Sequence, residues 1–66
     1  MRVENSDMKL EDYEGKMIRV TFLDSKALTG KLVKVKGYEL YLHIEKDNKI
    51  ICVFKHALKY LYEVED

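Results

Sequence analysis

The side chains best suited to acid–base or nucleophilic chemistry near neutral pH are few in this 66-residue chain: one cysteine, Cys52, and two histidines, His43 and His56. A structural zinc site takes four nitrogen or sulfur donors at short spacings, and this set cannot supply one. Cys52 sits inside the apolar run Ile50, Ile51, Cys52, Val53, Phe54, where a lone thiol is expected to act as a small core residue rather than a nucleophile. No Ser-His-Asp set, paired-carboxylate motif or phosphate-cradling glycine loop can be assembled. The expectation is therefore a binding protein, with no catalysis, no metal and no cofactor.

Charge distribution says more about the partner than net charge does. The formal net charge is zero, yet residues 16–59 carry ten bases against four acids, a balance of plus six. Glu4, Asp7, Glu11, Asp12 and Glu14 lie before that stretch and Glu63, Glu65 and Asp66 after it. A basic centre between acidic ends suits a polyanion if several copies gather their centres on one face.

Sixty-six residues make one domain, 1–66, whose acidic ends at 1–6 and 63–66 are expected to fray. A chain this short buries only about 60% of its unfolded surface and usually needs a disulfide, a metal or self-association. One cysteine and two histidines remove the first two aids, leaving self-association. No apolar stretch approaches the roughly 20 residues of a membrane span, and the acidic N-terminus lacks the layout of a signal peptide. A soluble, cytoplasmic protein that does not engage membranes is expected.

The elements that must position these residues read as a short helix followed by five strands. Asn5, Ser6 and Asp7 suit a helix N-cap and Gly15 a helix stop, with Met8, Leu10, Tyr13 and Met17 as the apolar edge. From Lys16 the period becomes two, with Ile18, Val20 and Phe22 on one face. Asp24–Lys26 form a turn, and a second strand covers Ala27 to Lys36, with Gly30 permitting a bend or a close backbone approach. Gly37 turns the chain into a third strand, where Tyr38, Leu40, Leu42 and Ile44 share a face. Residues 46–49 turn into a fourth strand, Ile50 to Phe54, whose unbroken apolar run implies cover on both faces. In a fifth strand, Ala57 to Tyr62, residues Leu58, Tyr60 and Tyr62 oppose Lys59 and Leu61. Five closely spaced antiparallel strands imply a strongly bent, nearly closed barrel, and pairing of one copy's fourth strand with a neighbour's fifth would generate a ring.

The order of elements and the string Val53, Phe54, Lys55, His56, Ala57, Leu58 resemble the Hfq branch of the Sm-like RNA-binding family, which carries a Tyr-Lys-His-Ala-Ile type signature between its last two strands. Val20, Phe22, Leu23, Asp24, Leu28, Gly30, Leu32 and Tyr38 are similar to the family's earlier motif, so the resemblance spans residues 8–62. It implies a short N-terminal helix on a five-stranded Sm-like barrel, a homohexameric ring, and binding of single-stranded, uridine-rich RNA around the pore. By that resemblance Tyr38 stacks a base, Lys55 contacts a base edge or phosphate, and His56 hydrogen-bonds the nucleotide. Gly37 stands where the family has Gln or Asn, which removes one base-reading amide. Thr21 replaces the stacking tyrosine of the opposite face, so purine-tract binding is not implied there.

The plainer alternatives are a buried, structural His56, a core Tyr38 and a solvated strand face for Lys31, Lys34 and Lys36. Tyr41, Tyr60 and Tyr62 are expected at barrel or subunit surfaces. Together these readings describe an Sm-like ring or monomeric barrel that serves protein interaction without specific RNA binding.

Overall fold

Alternating apolar residues become strands close to where the period of two places them. The computed structural model describes residues 2–3 and 9–65. Strand β1 is Arg2–Val3, β2 Met17–Phe22, β3 Ala27–Lys36, β4 Glu39–Ile44, β5 Lys49–Phe54 and β6 Leu58–Glu63. β2 to β6 form a five-stranded antiparallel sheet, and β1 adds a short parallel edge to β6, giving the order β1-β6-β2-β3-β4-β5. Among the described residues the sheet is open, with β1 and β5 at its two ends. The edge strand β1 was not expected, because two residues carry no readable period.

Among the described residues there are 3-10 turns but no α-helix, which corrects the expected N-terminal helix. Leu10–Tyr13 form one such turn, and both of these residues are buried. A 3-10 turn eclipses positions i and i+3, so Leu10 and Tyr13 meet the core together without a longer helix. The Lys9 N–H donates to Asp12 Oδ2 at 3.0 Å, closing the start of the turn. Gly15 (φ +87°) ends it, and its N–H donates to the Leu32 carbonyl at 2.7 Å. Met17, expected on the helix edge, opens β2 instead. The expected cap at Asn5–Asp7 lies outside the described residues.

β3 is the spine of the fold. Its first half pairs with β2 and its second half with β4, and the two ladders meet near Lys31. One ten-residue strand serving two neighbours must curve between them. Gly30 makes the curve possible, since a Cβ there would lie 2.8 Å from Ile44 Cδ1 and 2.9 Å from the His43 carbonyl oxygen. Just beyond, Leu32 faces Leu42 and Lys34 faces Tyr41, so Val33 is an extra residue thrown outward. Such a bulge increases local bending and twist.

The core is one cluster, in which Ile18, Val20, Leu32, Leu40, Leu42, Leu58 and Leu61 are fully buried. Each such burial contributes about 1.5–3 kcal/mol relative to exposure. Leu58 and Leu61 both point inward, correcting the expected phase of the last strand. Phe22 pairs with Leu58 while Thr21 pairs with Tyr60, so Lys59 is a bulge that shifts the alternation by one. Tyr60 is turned outward as a result and stacks on Tyr62, with ring centroids 6.4 Å apart.

β5 is not covered on both faces. Val53 is buried, but Ile50 and Phe54 are 58% and 57% exposed and Cys52 is exposed beside them. The expectation of a core cysteine is therefore overturned, because the strand ends the sheet and has an outer face with no layer over it.

Candidate functional site

Gly37, with φ +57° and no atom beyond its own chain neighbours within 4 Å of where a Cβ would stand, turns β3 toward β4 and delivers Tyr38 to the residue before β4. Phe54 pairs with Glu39 as the last rung between β4 and β5. The chain then leaves β5 through a 3-10 turn, Lys55–Ala57. The Lys55 N–H donates to the Tyr38 carbonyl at 2.8 Å, which extends the ladder by one bond. This backbone bond fixes the two segments side by side.

The same bond sets the side chains. The His56 ring stacks on the Tyr38 ring, with centroids 5.3 Å apart and planes 29° from parallel. Tyr38 is 69% exposed, His56 is exposed and Lys55 is half-buried. The plainer readings of a core Tyr38 and a buried His56 do not hold. Tyr38 lies in the turn just before β4 rather than in the strand, where alternation no longer dictates burial. Gly37, Tyr38, Lys55 and His56 thus form one cluster, reached from two segments 17 or more positions apart in the chain.

A second feature adjoins this turn. The Leu23 N–H donates to the Ala57 carbonyl at 3.0 Å, tying the 3-10 turn to the β2–β3 connection. Phe22, Leu23, Lys26, Leu28 and Ala57 line a mainly apolar groove of about 570 Å³ there. Ser25 (φ +73°) and the Lys26 N–H bond to Asp24 Oδ1 at 3.1 Å shape the connection. The type of turn was legible from Asp24-Ser25-Lys26, but its docking against Ala57 was not.

On the outer face of β4 and β5, Glu39 accepts hydrogen bonds from the Tyr41 hydroxyl and the Cys52 thiol, each at 3.4 Å. Partial desolvation, followed by the hydrogen bond and charge of Glu39, holds the Cys52 thiol above its ordinary value. Desolvation and the neighbouring Glu39 and Cys52 raise the Tyr41 hydroxyl in the same way. A thiol held protonated is a poor nucleophile. Nearby, Val33, Lys34, Lys36, Tyr41 and Ile50 line a smaller groove of about 290 Å³, with the outward-bulged Val33 in its wall.

Lys31, Lys34 and Lys36 are exposed along β3, as a solvated strand face requires. His43 bonds Asn48 Oδ1 through Nε2 at 3.1 Å and lies in the β4–β5 hairpin rather than with His56. Among the described residues no group of three or more His, Cys, Asp or Glu side chains is arranged to hold a metal ion. Nor does any described helix have the length and apolarity to cross a membrane. Scans against family models, curated proteins and solved structures return no match to this chain.

Proposed function

We propose that this chain is an Sm-like protein of the Hfq kind, a cytoplasmic RNA-binding ring whose subunits hold single-stranded, uridine-rich RNA through Tyr38, Lys55 and His56. The observation that carries this reading is the exposed Tyr38–His56 stack, fixed by the Lys55 backbone bond to Tyr38. Single-stranded RNA is held where bases stack on aromatic planes and cations follow the phosphates. The free face of Tyr38 offers the plane and Lys55 the cation, while His56 backs the tyrosine and presents a ring nitrogen to the nucleotide. Open space at Gly37 leaves room for a base beside Tyr38 without an amide to read its edge.

The two ends of the sheet support the ring reading. Among the described residues β5 presents an unpaired margin flanked by exposed Ile50 and Phe54, and β6 lies near the opposite end. Head-to-tail pairing of β5 with a neighbour's β6 closes a five-stranded Sm-like barrel unit into a homohexamer and carries each Lys55–Ala57 turn toward a common opening. Repeated weak pockets then act on one strand at high effective concentration.

Fluorescence-polarisation titration of short oligouridine and oligoadenine, at a stated salt concentration, tests this. Tight oligouridine binding that falls when Tyr38 and Lys55 are both changed to alanine is the expected result. No binding to either oligonucleotide, or full affinity in the double variant with its assembly intact, defeats it. A second reading, a barrel used for protein interaction, draws on the exposed Leu23, Ile50 and Phe54 and gains if an assembled protein ignores RNA.

A further inference from the structure

The edge of β6 that a neighbour's β5 must reach is not free in the single chain. β6 has two margins. One pairs with β2, and the other pairs in parallel with β1, Arg2 opposite Tyr60 and Val3 opposite Leu61. Among the described residues the far end of the sheet has no such cover, since β5 pairs there with β4 alone. One end is thus masked and the other bare, in a sheet proposed to polymerise through those two ends.

We infer that β1 is an intramolecular plug for the assembly edge, displaced by the β5 of a second copy of this chain when the ring forms. This rests on the ring reading above. The competition is between unequal strands. β1 contributes two paired residues, whereas β5 and β6 are six residues each and can form a ladder along their whole length. The longer ladder and the burial of Ile50 and Phe54 favour the neighbour. The plug has the advantage of being tethered, with an effective concentration that reaches the millimolar range for short connections. A weak but local strand therefore sets a protomer concentration below which the chain stays single with its β6 edge protected. Short cover of this kind also keeps an exposed margin from pairing indiscriminately.

The test uses the full chain with Arg2→Pro and Val3→Pro together. Donors on alternate residues of a strand face the same neighbour, so the pair removes the inward donor whichever residue carries it. Both positions lie in the edge strand of the sheet, and circular dichroism checks that the fold survives. Sedimentation velocity across protomer concentrations, with native mass spectrometry for the ring mass, gives the midpoint of assembly. A midpoint lowered by about tenfold, the scale of one or two released hydrogen bonds, is the expected result. Rings at an unchanged midpoint in both proteins overturn the plug and leave the ring standing. A raised midpoint overturns it too, since β1 would then be helping assembly. Single chains in both proteins at every concentration overturn the ring and the plug together.

Discussion

Replacing Gly30 with alanine tests whether the bend in β3 is set by a close backbone approach. The added methyl would stand 2.8 Å from Ile44 Cδ1 and 2.9 Å from the His43 carbonyl oxygen. The Ile44 methyl can rotate aside, but the His43 carbonyl belongs to β4, whose ladder with β3 includes the rung Lys31–His43. The strands must separate locally, and overpacking of this kind costs about 2–3 kcal/mol. Alanine recovers about 0.5–1 kcal/mol by restricting the unfolded chain. The net loss is about 1–2.5 kcal/mol, a fall in Tm of about 4–20 °C for a domain of this size. Thermal and urea unfolding at fixed protomer concentration read it, because self-association makes Tm depend on concentration. Adding Ile44→Val does not rescue the variant, since the backbone contact remains. A Tm for Gly30→Ala within about 2 °C of the parent, or full rescue by Ile44→Val, refutes the reasoning.

At Gly37 the effect is conformational rather than steric. With φ +57° and open space around it, Gly37→Ala costs about 1–2 kcal/mol and Gly37→Asn distinctly less by urea unfolding; equal losses contradict this. Cys52 is held protonated, so its alkylation by iodoacetamide has a midpoint above the ordinary thiol value of 9.0, and Glu39→Gln moves that midpoint down. By linkage, any stability this thiol contributes is fully present below its unfolded value and is lost as pH rises from there through the raised folded value. A midpoint at or below 9.0 in the parent chain removes the Glu39 contact as its cause. The Val35 N–H donates to Glu14 Oε2 at 2.9 Å, fastening the segment after the first 3-10 turn to β3. Glu14→Ala therefore destabilises by about 1 kcal/mol and speeds amide exchange at Val35, and unchanged exchange argues against the bond. If RNA binds as proposed, Lys55→Ala flattens the salt dependence of affinity by about 0.7 in log–log slope per lost phosphate contact, whereas Tyr38→Ala lowers affinity without changing the slope. Equal slopes for both variants separate Lys55 from the phosphates.

The sequence by itself determined the features that arise from local periodicity and turn chemistry. β3 covers Ala27–Lys36 as the alternation and the Gly37 turn require, and Asp24–Lys26 and residues 46–48 form connections. The close approach at Gly30 was also legible, because a glycine inside an alternating strand has few other uses. Tyr38, Lys55 and His56 were singled out by their resemblance to a motif, and their side-by-side placement needed only the strand order. Only the tertiary structure decided which way the remaining side chains face. Strand phase is relative to a partner, so one inserted residue, Lys59 or Val33, exchanges inside for outside beyond it. Cys52 likewise reads as core in a hydrophobic run, yet lies exposed because β5 is the last strand of the sheet and none of the described residues forms a layer over its outer face. The pairing of β1 with β6 depends on which margin stays vacant after the other strands have met, and no local pattern in Arg2–Val3 encodes that.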